Sequence, residues 1–311
     1  MLCRDPRPST AVSVHIVQFM ELIYTRPFNR QESKYMFSLN LKDRLRTLNR
    51  KRVYTRGLNK PCSNHPDGFM FSGRNQIMAK GGHEPFESSL VRKILGDVQV
   101  FVNIGAHHGY YSCLALSSNT DTVAYEPEAT NILMIEKHIK ANCFDDRFTL
   151  HPCAVGSQSS ELVLYGGGSG GSLLPETNLA PHSETQTVSV VTLDDTLFLG
   201  KKKALCLMDV EGFEYEALKG ASKILSSKTK PYWIIEVLPN GPRGNANTQF
   251  ENVFELMQSH GYIAWGIDEA ANQLFPFTSD ITRKVAVGEI KTSISNFLFT
   301  ERKDDLVQRL M

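Results

Sequence analysis

The chain has 311 residues, 41% hydrophobic and 22% charged, which is ordinary for a soluble globular protein. That length holds one large α/β domain plus an N-terminal appendage, and a net charge of +1 selects no partner by itself. Six cysteines (Cys3, Cys62, Cys113, Cys143, Cys153, Cys206) are scattered with no C-x-x-C pair, which argues against a zinc site or disulfide framework. Cys113, Cys153 and Cys206 fall in predicted element cores, where free thiols act as small hydrophobes, so a reducing, cytoplasmic location is expected.

Residues 1–60 lack strand patterning and read as a separate, basic arm, partly helical or disordered. Val12 to Tyr24 is apolar but too short to span a bilayer, and His15, Gln18 and Glu21 interrupt it, so it reads as a short amphipathic helix. From Arg26 to Lys60 eleven Lys and Arg face only Glu32 and Asp43. Such an arm is either a solvated extension or a weak contact for an anionic surface. Oligomeric state is not encoded in any pattern here.

The domain proper is expected over residues 61–311. Asp67 to Gly82 reads as a hairpin or irregular cover. His83 to Leu95 reads as an amphipathic helix, with Phe86, Leu90, Val91 and Leu95 at helical spacing. Strand 99–104, helix 109–118, strand 121–126, helix 128–142 and strand 147–153 then follow at βαβ distances. Residues 160–192 break the rhythm: SELVLYG and QTVSVVT read as strands flanking a glycine-serine loop, Tyr165 to Ser172, taken as an insertion rather than a lid. Alternation resumes with strand 204–209, helix 213–226, strand 232–238, a helix from Gln249 to Ser259, the strand GYIAWGI and a last strand, Ser295 to Thr300. The pattern predicts an α/β, Rossmann-like fold with a mostly parallel, seven-stranded sheet and helices on both faces.

Residues 99–127, QVFVNIGAHHGYYSCLALSSNTDTVAYEP, form a β-turn-α-β unit ending on a carboxylate, Glu126. Such a unit holds an adenosine-bearing cofactor: the glycine turn brings backbone close to the ligand, and the acid accepts from ribose hydroxyls. A dinucleotide site needs G-x-G-x-x-G for its pyrophosphate. Counting from Gly105, the later glycine positions hold His107 and Tyr110, leaving only Gly105 and Gly109. A cofactor with adenosine and no phosphate fits better, and S-adenosylmethionine is the obvious one. Further strand ends carry Asp209 with Glu211, then Glu236, and in this fold all strand tips share one edge. Together with Glu126 they make a negative pocket suited to a sulfonium cation.

The segments VFVNIGAHHGYYS, VAYEPEATN, VTLDDTL, LCLMDVEGFEYEALKGA and WIIEVLPN resemble, in order and spacing, the FkbM family of S-adenosylmethionine-dependent methyltransferases over roughly residues 84–300. The D-V-E-G-x-E segment followed by A-L-K-G-A is the most specific element, and T-L-D-D the next. The resemblance implies a class I methyltransferase fold and methylation of a hydroxyl oxygen on a glycan, lipid-linked saccharide or small metabolite. It also implies that Gly105, Ala106 and Gly109 form the cofactor turn and that Glu126, with Pro127, holds the ribose. Asp209, Glu211 and Glu236 then line the site, Glu236 on the cofactor side. One departure stands out: Asn103 occupies a position where the family usually has Asp. Asn keeps an acceptor oxygen, loses the charge and gains a donor, so cofactor binding is expected to weaken and an inactive, cofactor-binding homologue enters as an alternative.

A sugar hydroxyl is a poor nucleophile, so a base within hydrogen-bond reach is expected. Asp209 and Glu211 are the first candidates because their strand end points at the pocket; His107 and His108, in the glycine turn, come second. Asp209 with Glu236 suggests a divalent metal only in outline, since no third ligand is evident, and no metal is expected. Asp194 and Asp195 read as helix-capping residues. A nucleic-acid methyltransferase is the third reading, motivated by the basic arm. Against it stand the missing N-P-P-Y-type segment after the fourth strand and the sparse Tyr35, Phe37 and Tyr54.

Overall fold

A computed structural model describes residues 57–72, 78, 80–166, 171–174, 185–239 and 247–310. Most of the basic arm, the centre of the glycine-serine loop and most of the loop after Pro239 lie outside the described residues.

Eight strands build the main sheet: β1 (Val100–Ile104), β2 (Asp121–Tyr125), β3 (Phe148–His151), β4 (Ala204–Met208), β5 (Tyr232–Glu236), β6 (Tyr262–Asp268), β7 (Gln273–Pro276) and β8 (Asn296–Glu301). Their spatial order is β7-β6-β8-β5-β4-β1-β2-β3. Neighbours from β3 to β5 pair in parallel, whereas β8 runs antiparallel to β5 and β6, and β7 antiparallel to β6. The sheet is therefore mixed and eight-stranded, one strand more than the seven expected. The extra strand, β7, closes a hairpin on β6 whose turn starts with Asp268, which accepts from the N–H groups of Ala270 and Ala271.

The central strands β1, β4 and β5 are apolar apart from Asn103 and the tip residue Glu236, because both faces are covered. Val100, Val102 and Ile104 pack on one side with Cys206, Met208, Trp233 and Ile235, while Phe101, Leu205, Leu207 and Ile234 point to the other. The first face is covered by α5 (Glu214–Lys219), α6 (Ser222–Leu225), α7 (Phe250–Ser259) and α8 (Ser279–Ala286), which follow α4 (Leu193–Thr196). On the second lie α1 (Pro85–Leu95), α2 (Tyr110–Ser117) and α9 (Leu306–Leu310). Between them in chain order, α3 (Ala129–Asn142) packs Ile135 and Ile139 beside Ala106, Leu116 and Ala124.

Two expected elements change form. The helix expected over 213–226 breaks at Gly220, where a Cβ would stand 2.0 Å from the Gly156 carbonyl oxygen. The expected strand 147–153 stops at His151, and Ala154–Val155 joins a separate three-stranded sheet with Ser160–Tyr165 and Thr185–Val191. Among the described residues no helix is long and apolar enough to cross a membrane.

Candidate active site

Strand order reverses at β1, with β2 on one flank and β4 on the other, and this is where open α/β sheets form a crevice at their carboxyl ends. A cavity of about 540 Å³ lies there. It is lined by Asn103, Gly105, Ala106, Glu126, Pro127, Asp209, Glu211 and Glu236, so eight of the nine site residues expected from the sequence come together. Gly109 does not line it. It stands at the N-cap of α2 with φ 78°, and a Cβ there would meet the Ile135 side chain at 3.2 Å, so its work is to let α2 start against α3. Gly105 is also fixed by packing, because a Cβ would lie 1.8 Å from the backbone oxygen of Asp209. The glycine turn thus lets the exits of β1 and β4 touch, with Asp209 N–H donating to the Ile104 carbonyl at 3.0 Å.

At the β2 tip the Glu126 carboxyl is matched by donors. Glu126 accepts from the His107 N–H at 2.7 Å, the Glu128 N–H at 2.9 Å and Asn131 Nδ2 at 3.1 Å. Burial pushes its carboxyl up to about 8, against the pull of those donors. Asn131 also lines the cavity, and its Oδ1 is buried without a partner. Asn103 is buried, and its Nδ2 donates to Ser112 Oγ at 3.0 Å.

At the β4 and β5 tips carboxyls meet one another. Asp209 and Glu236 share a hydrogen bond, and burial beside the Asp209 charge pushes Glu236 up to about 10. Burial likewise raises Asp209, and with Asp209 and Glu214 nearby it lifts Glu211 to about 8. Glu211 is held at φ 54°, a left-handed conformation that costs a non-glycine residue about 1–2 kcal/mol, in the turn before Gly212. Glu84 (φ 39°) and His107 (φ 50°) share that conformation and also line the cavity. Glu214 accepts from the Gly212 N–H at 2.8 Å, tightening the same turn.

Sequence reasoning missed the α1 side of the wall. His83, Glu84, Glu87, Tyr110 and Tyr111 all line the cavity. The signal was available: Glu87 is an acid among the buried residues Leu90, Val91 and Ile94 of an amphipathic helix, and it is itself buried. The second sheet lines the opposite side through Leu164, Leu173 and Gly171, with Ser172 Oγ donating to the Glu211 carbonyl at 2.7 Å. The 160–192 segment, read as an insertion that would help build an acceptor pocket, thus contributes to the cavity wall. The 239–248 loop, which the sequence offers as another part of an acceptor pocket, has residues 240–246 outside the described residues.

Of the two residues expected to cap, Asp194 does so and Asp195 does not; Asp195 lies inside the helix and accepts from the Thr192 hydroxyl. Thr192 is the N-cap of α4 and accepts from the Asp195 N–H, while Asp194 accepts from the N–H groups of Lys223 and Ile224 at the start of α6. Among the described residues no group of three or more His, Cys, Asp or Glu is placed to hold a metal ion.

A reversed strand order, a glycine turn and an acid-tipped β2 define a nucleotide-cofactor α/β protein of the class I methyltransferase kind. Residues 103–264, just over half of the chain, match the Methyltransferase FkbM domain, and the chain belongs to that family. It is a methyltransferase, and its cofactor is S-adenosylmethionine. The cavity fits that cofactor. Glu126 lines the cavity at the β2 tip, Asn131 Oδ1 and Asp209 Oδ1 are unpartnered, and no described Lys or Arg lines the wall to hold a pyrophosphate.

No curated protein matches the chain. Solved structures that share its general shape include a precorrin-6y C5,15-methyltransferase from Geobacter metallireducens (13% identity, 69% of this chain and 86% of that one, TM-score 0.36). Another is an O-methyltransferase from Bacillus cereus in complex with SAH (9%, 69% and 80%, TM-score 0.37). A third is an SAH-bound methyltransferase from Podospora anserina (9%, 97% and 100%, TM-score 0.37).

Proposed function

We propose that this methyltransferase acts on a hydroxyl oxygen of a glycan, a lipid-linked saccharide or a small hydroxylated metabolite. The carrying observation is the carboxyl cluster of Asp209, Glu211 and Glu236 in the same cavity as the Gly105 turn and Glu126. When bound, S-adenosylmethionine supplies an electrophilic methyl group. Glu126, with Pro127 and Asn131 beside it, would hold the ribose end, and the Gly105–His107 turn lines the same cavity. A hydroxyl acceptor must give up its proton as its oxygen gains a methyl, and Glu211, raised to about 8 by burial, takes it in its ionised form, a fraction that grows as pH rises toward 8. Asp209 and Glu236, joined by a hydrogen bond, line the acceptor side. Orientation of the acceptor in this closed space supplies a large part of the rate, ~7–11 kcal/mol in favourable cases.

Titration calorimetry with S-adenosylmethionine, S-adenosylhomocysteine and NAD tests the cofactor half, with Glu126→Ala as control. Micromolar binding of the first two, lost in the variant, is expected; binding of NAD alone overturns the reading. A screen of hydroxylated acceptors with a labelled methyl donor then tests the acceptor half. Asn103 motivates the second reading, a cofactor-binding homologue without turnover, and S-adenosylhomocysteine binding with no transfer to any acceptor would favour it.

A cytoplasmic location rests on the buried free thiols Cys113, Cys153 and Cys206, while Cys143 is disulfide-bonded and weighs against it. Alkylation of Cys143 in freshly lysed cells, read by mass spectrometry, decides between them.

A further inference from the structure

Glu211 carries its carboxyl on a left-handed residue, and a conformation of that cost persists only where its surroundings over-determine it. The peptide group that follows it is held at both ends. Its oxygen, the Glu211 carbonyl, accepts from Ser172 Oγ at 2.7 Å, and its nitrogen, the Gly212 N–H, donates to Glu214 Oε1 at 2.8 Å. With both ends gripped, that plane cannot turn, and the ψ of Glu211 is set. The entry to the turn is fixed as well, by the Asp209 N–H on the Ile104 carbonyl at 3.0 Å. Glu214 belongs to the same segment as the turn it holds. Ser172 reaches in from 39 residues earlier in the chain.

Ser172 is itself held in place for this contact. It is 2% exposed and pairs through its backbone with Tyr165 in both directions, at 2.9 and 3.0 Å, closing the hairpin of the second sheet. Its Oγ accepts from the Leu174 N–H at 3.1 Å and gives its one proton to the Glu211 carbonyl. Gly171 and Leu173, on either side, line the cavity. Any donor would seal a buried carbonyl. This one seals the carbonyl of the residue whose carboxyl sits in the cavity wall beside Asp209 and Glu214. We propose that Ser172 is a positioning residue for methyl transfer: its hydroxyl, by holding the Glu211 carbonyl, keeps the Glu211 carboxyl in the cavity wall. The inference rests on the reading of Glu211 as the group that takes the acceptor's proton. Without the hydroxyl the peptide plane is free to turn, Glu211 relaxes out of the left-handed region, and its carboxyl moves away from Asp209 and Glu214 toward water.

The test follows carboxyl titrations by NMR in the ligand-free full chain, isotope-labelled at the glutamate carboxyls, with Glu211→Gln and Glu126→Gln assigning two resonances. Both acids are raised to about 8, Glu211 at one end of the cavity and Glu126 at the other. Ser172→Ala removes the donor, Ser172→Cys keeps nearly the same shape with a much weaker donor, and Ser172→Thr keeps the hydroxyl. Thermal unfolding first shows which variants are folded, and the cysteine variant carries the comparison where the alanine variant is not. The Glu211 midpoint should fall by about one unit or more in the alanine and cysteine variants and stay at the wild-type value in Ser172→Thr, with Glu126 unmoved throughout. A Glu211 midpoint that stays put, or that moves together with Glu126, shows a role in packing alone and overturns the proposal. So does a Ser172→Thr midpoint shifted as far as that of Ser172→Ala, or failure of both the alanine and cysteine variants to fold. A wild-type Glu211 that titrates near 4.5 overturns the proton-acceptor reading instead, and the positioning role with it.

Discussion

The two ends of the cavity are built on opposite plans. At the β2 tip, Glu126 is surrounded by donors, two from backbone N–H groups and one from Asn131, all within six residues of it or in the glycine turn. At the β4 and β5 tips, Asp209, Glu211 and Glu236 are surrounded by each other. The first arrangement fixes a geometry before any ligand arrives. The second stores unfavourable charge contact that a cationic or donor-rich ligand relieves. On the function proposed above, the contrast separates holding from reacting. The donor-matched carboxyl is the one assigned to the cofactor, and the carboxyls that face each other are the ones assigned to the proton.

The sharpest way to break this contrast is at Glu211. Glu211→Gln should lower kcat by about 10²–10⁴-fold while leaving S-adenosylhomocysteine affinity close to wild type, read by methyl transfer and calorimetry in parallel. A variant that loses cofactor binding instead would place Glu211 with the holding groups. Glu126→Ala attacks the other end and strands three donors. Cofactor affinity should fall about ten- to a hundredfold and stability by about 1–3 kcal/mol, measured by calorimetry and urea unfolding.

A mutation outside the cavity tests whether the β4 end depends on its backing. Gly220→Ala places a Cβ against the Gly156 carbonyl and should cost about 1–3 kcal/mol in urea unfolding, with cofactor affinity changing less than in Glu126→Ala.

The pH dependence of stability reads the stored charge directly. Glu214, Glu126, Glu211 and Glu236 are raised to about 7, 8, 8 and 10, so the native state holds protons that the unfolded chain releases from pH 4.5 upward. Their contribution is complete below that pH and is lost as pH rises through the folded values. His138, lowered to about 4 by burial, acts oppositely between pH 4 and 6.5. The ligand-free chain should therefore lose stability steadily from about pH 6.5 to 8 in thermal scans; a flat profile there would mean that these acids ionise freely.

The smallest effect is expected at Asn103. Asn103→Asp should tighten S-adenosylmethionine by about threefold through attraction to the sulfonium and leave S-adenosylhomocysteine unchanged. Equal tightening of both would point to a hydrogen bond rather than charge.

What was legible in the sequence follows the same division. The glycine turn, Glu126 and the acid-ended strands could be read because each is written within a dozen residues and the sheet brings strand tips together. Glu84, Glu87, Tyr110 and Tyr111 escaped because their place in the wall depends on where α1 packs, held by Glu269 from 182 residues away. β7 escaped because four residues of QLFP carry almost no pattern, and its pairing to β6 supplies the order. Asp194 was rightly read as a cap, but its helix lies 28 residues downstream. The two segments most specific to the family, T-L-D-D and A-L-K-G-A, thus owe part of their pattern to one packed joint, where the Asp194 N–H also donates to the Gly220 carbonyl.

The second sheet begins and finishes at one spot, since Val155 pairs with Val191. A segment whose two feet stand together can change length at its far end without displacing the sheet beneath it. Two ties limit that freedom: Gly156 against Gly220, and Ser172 on the Glu211 carbonyl. Between those ties, Leu164 and Leu173 are the part of the cavity wall that such a change in length would reshape.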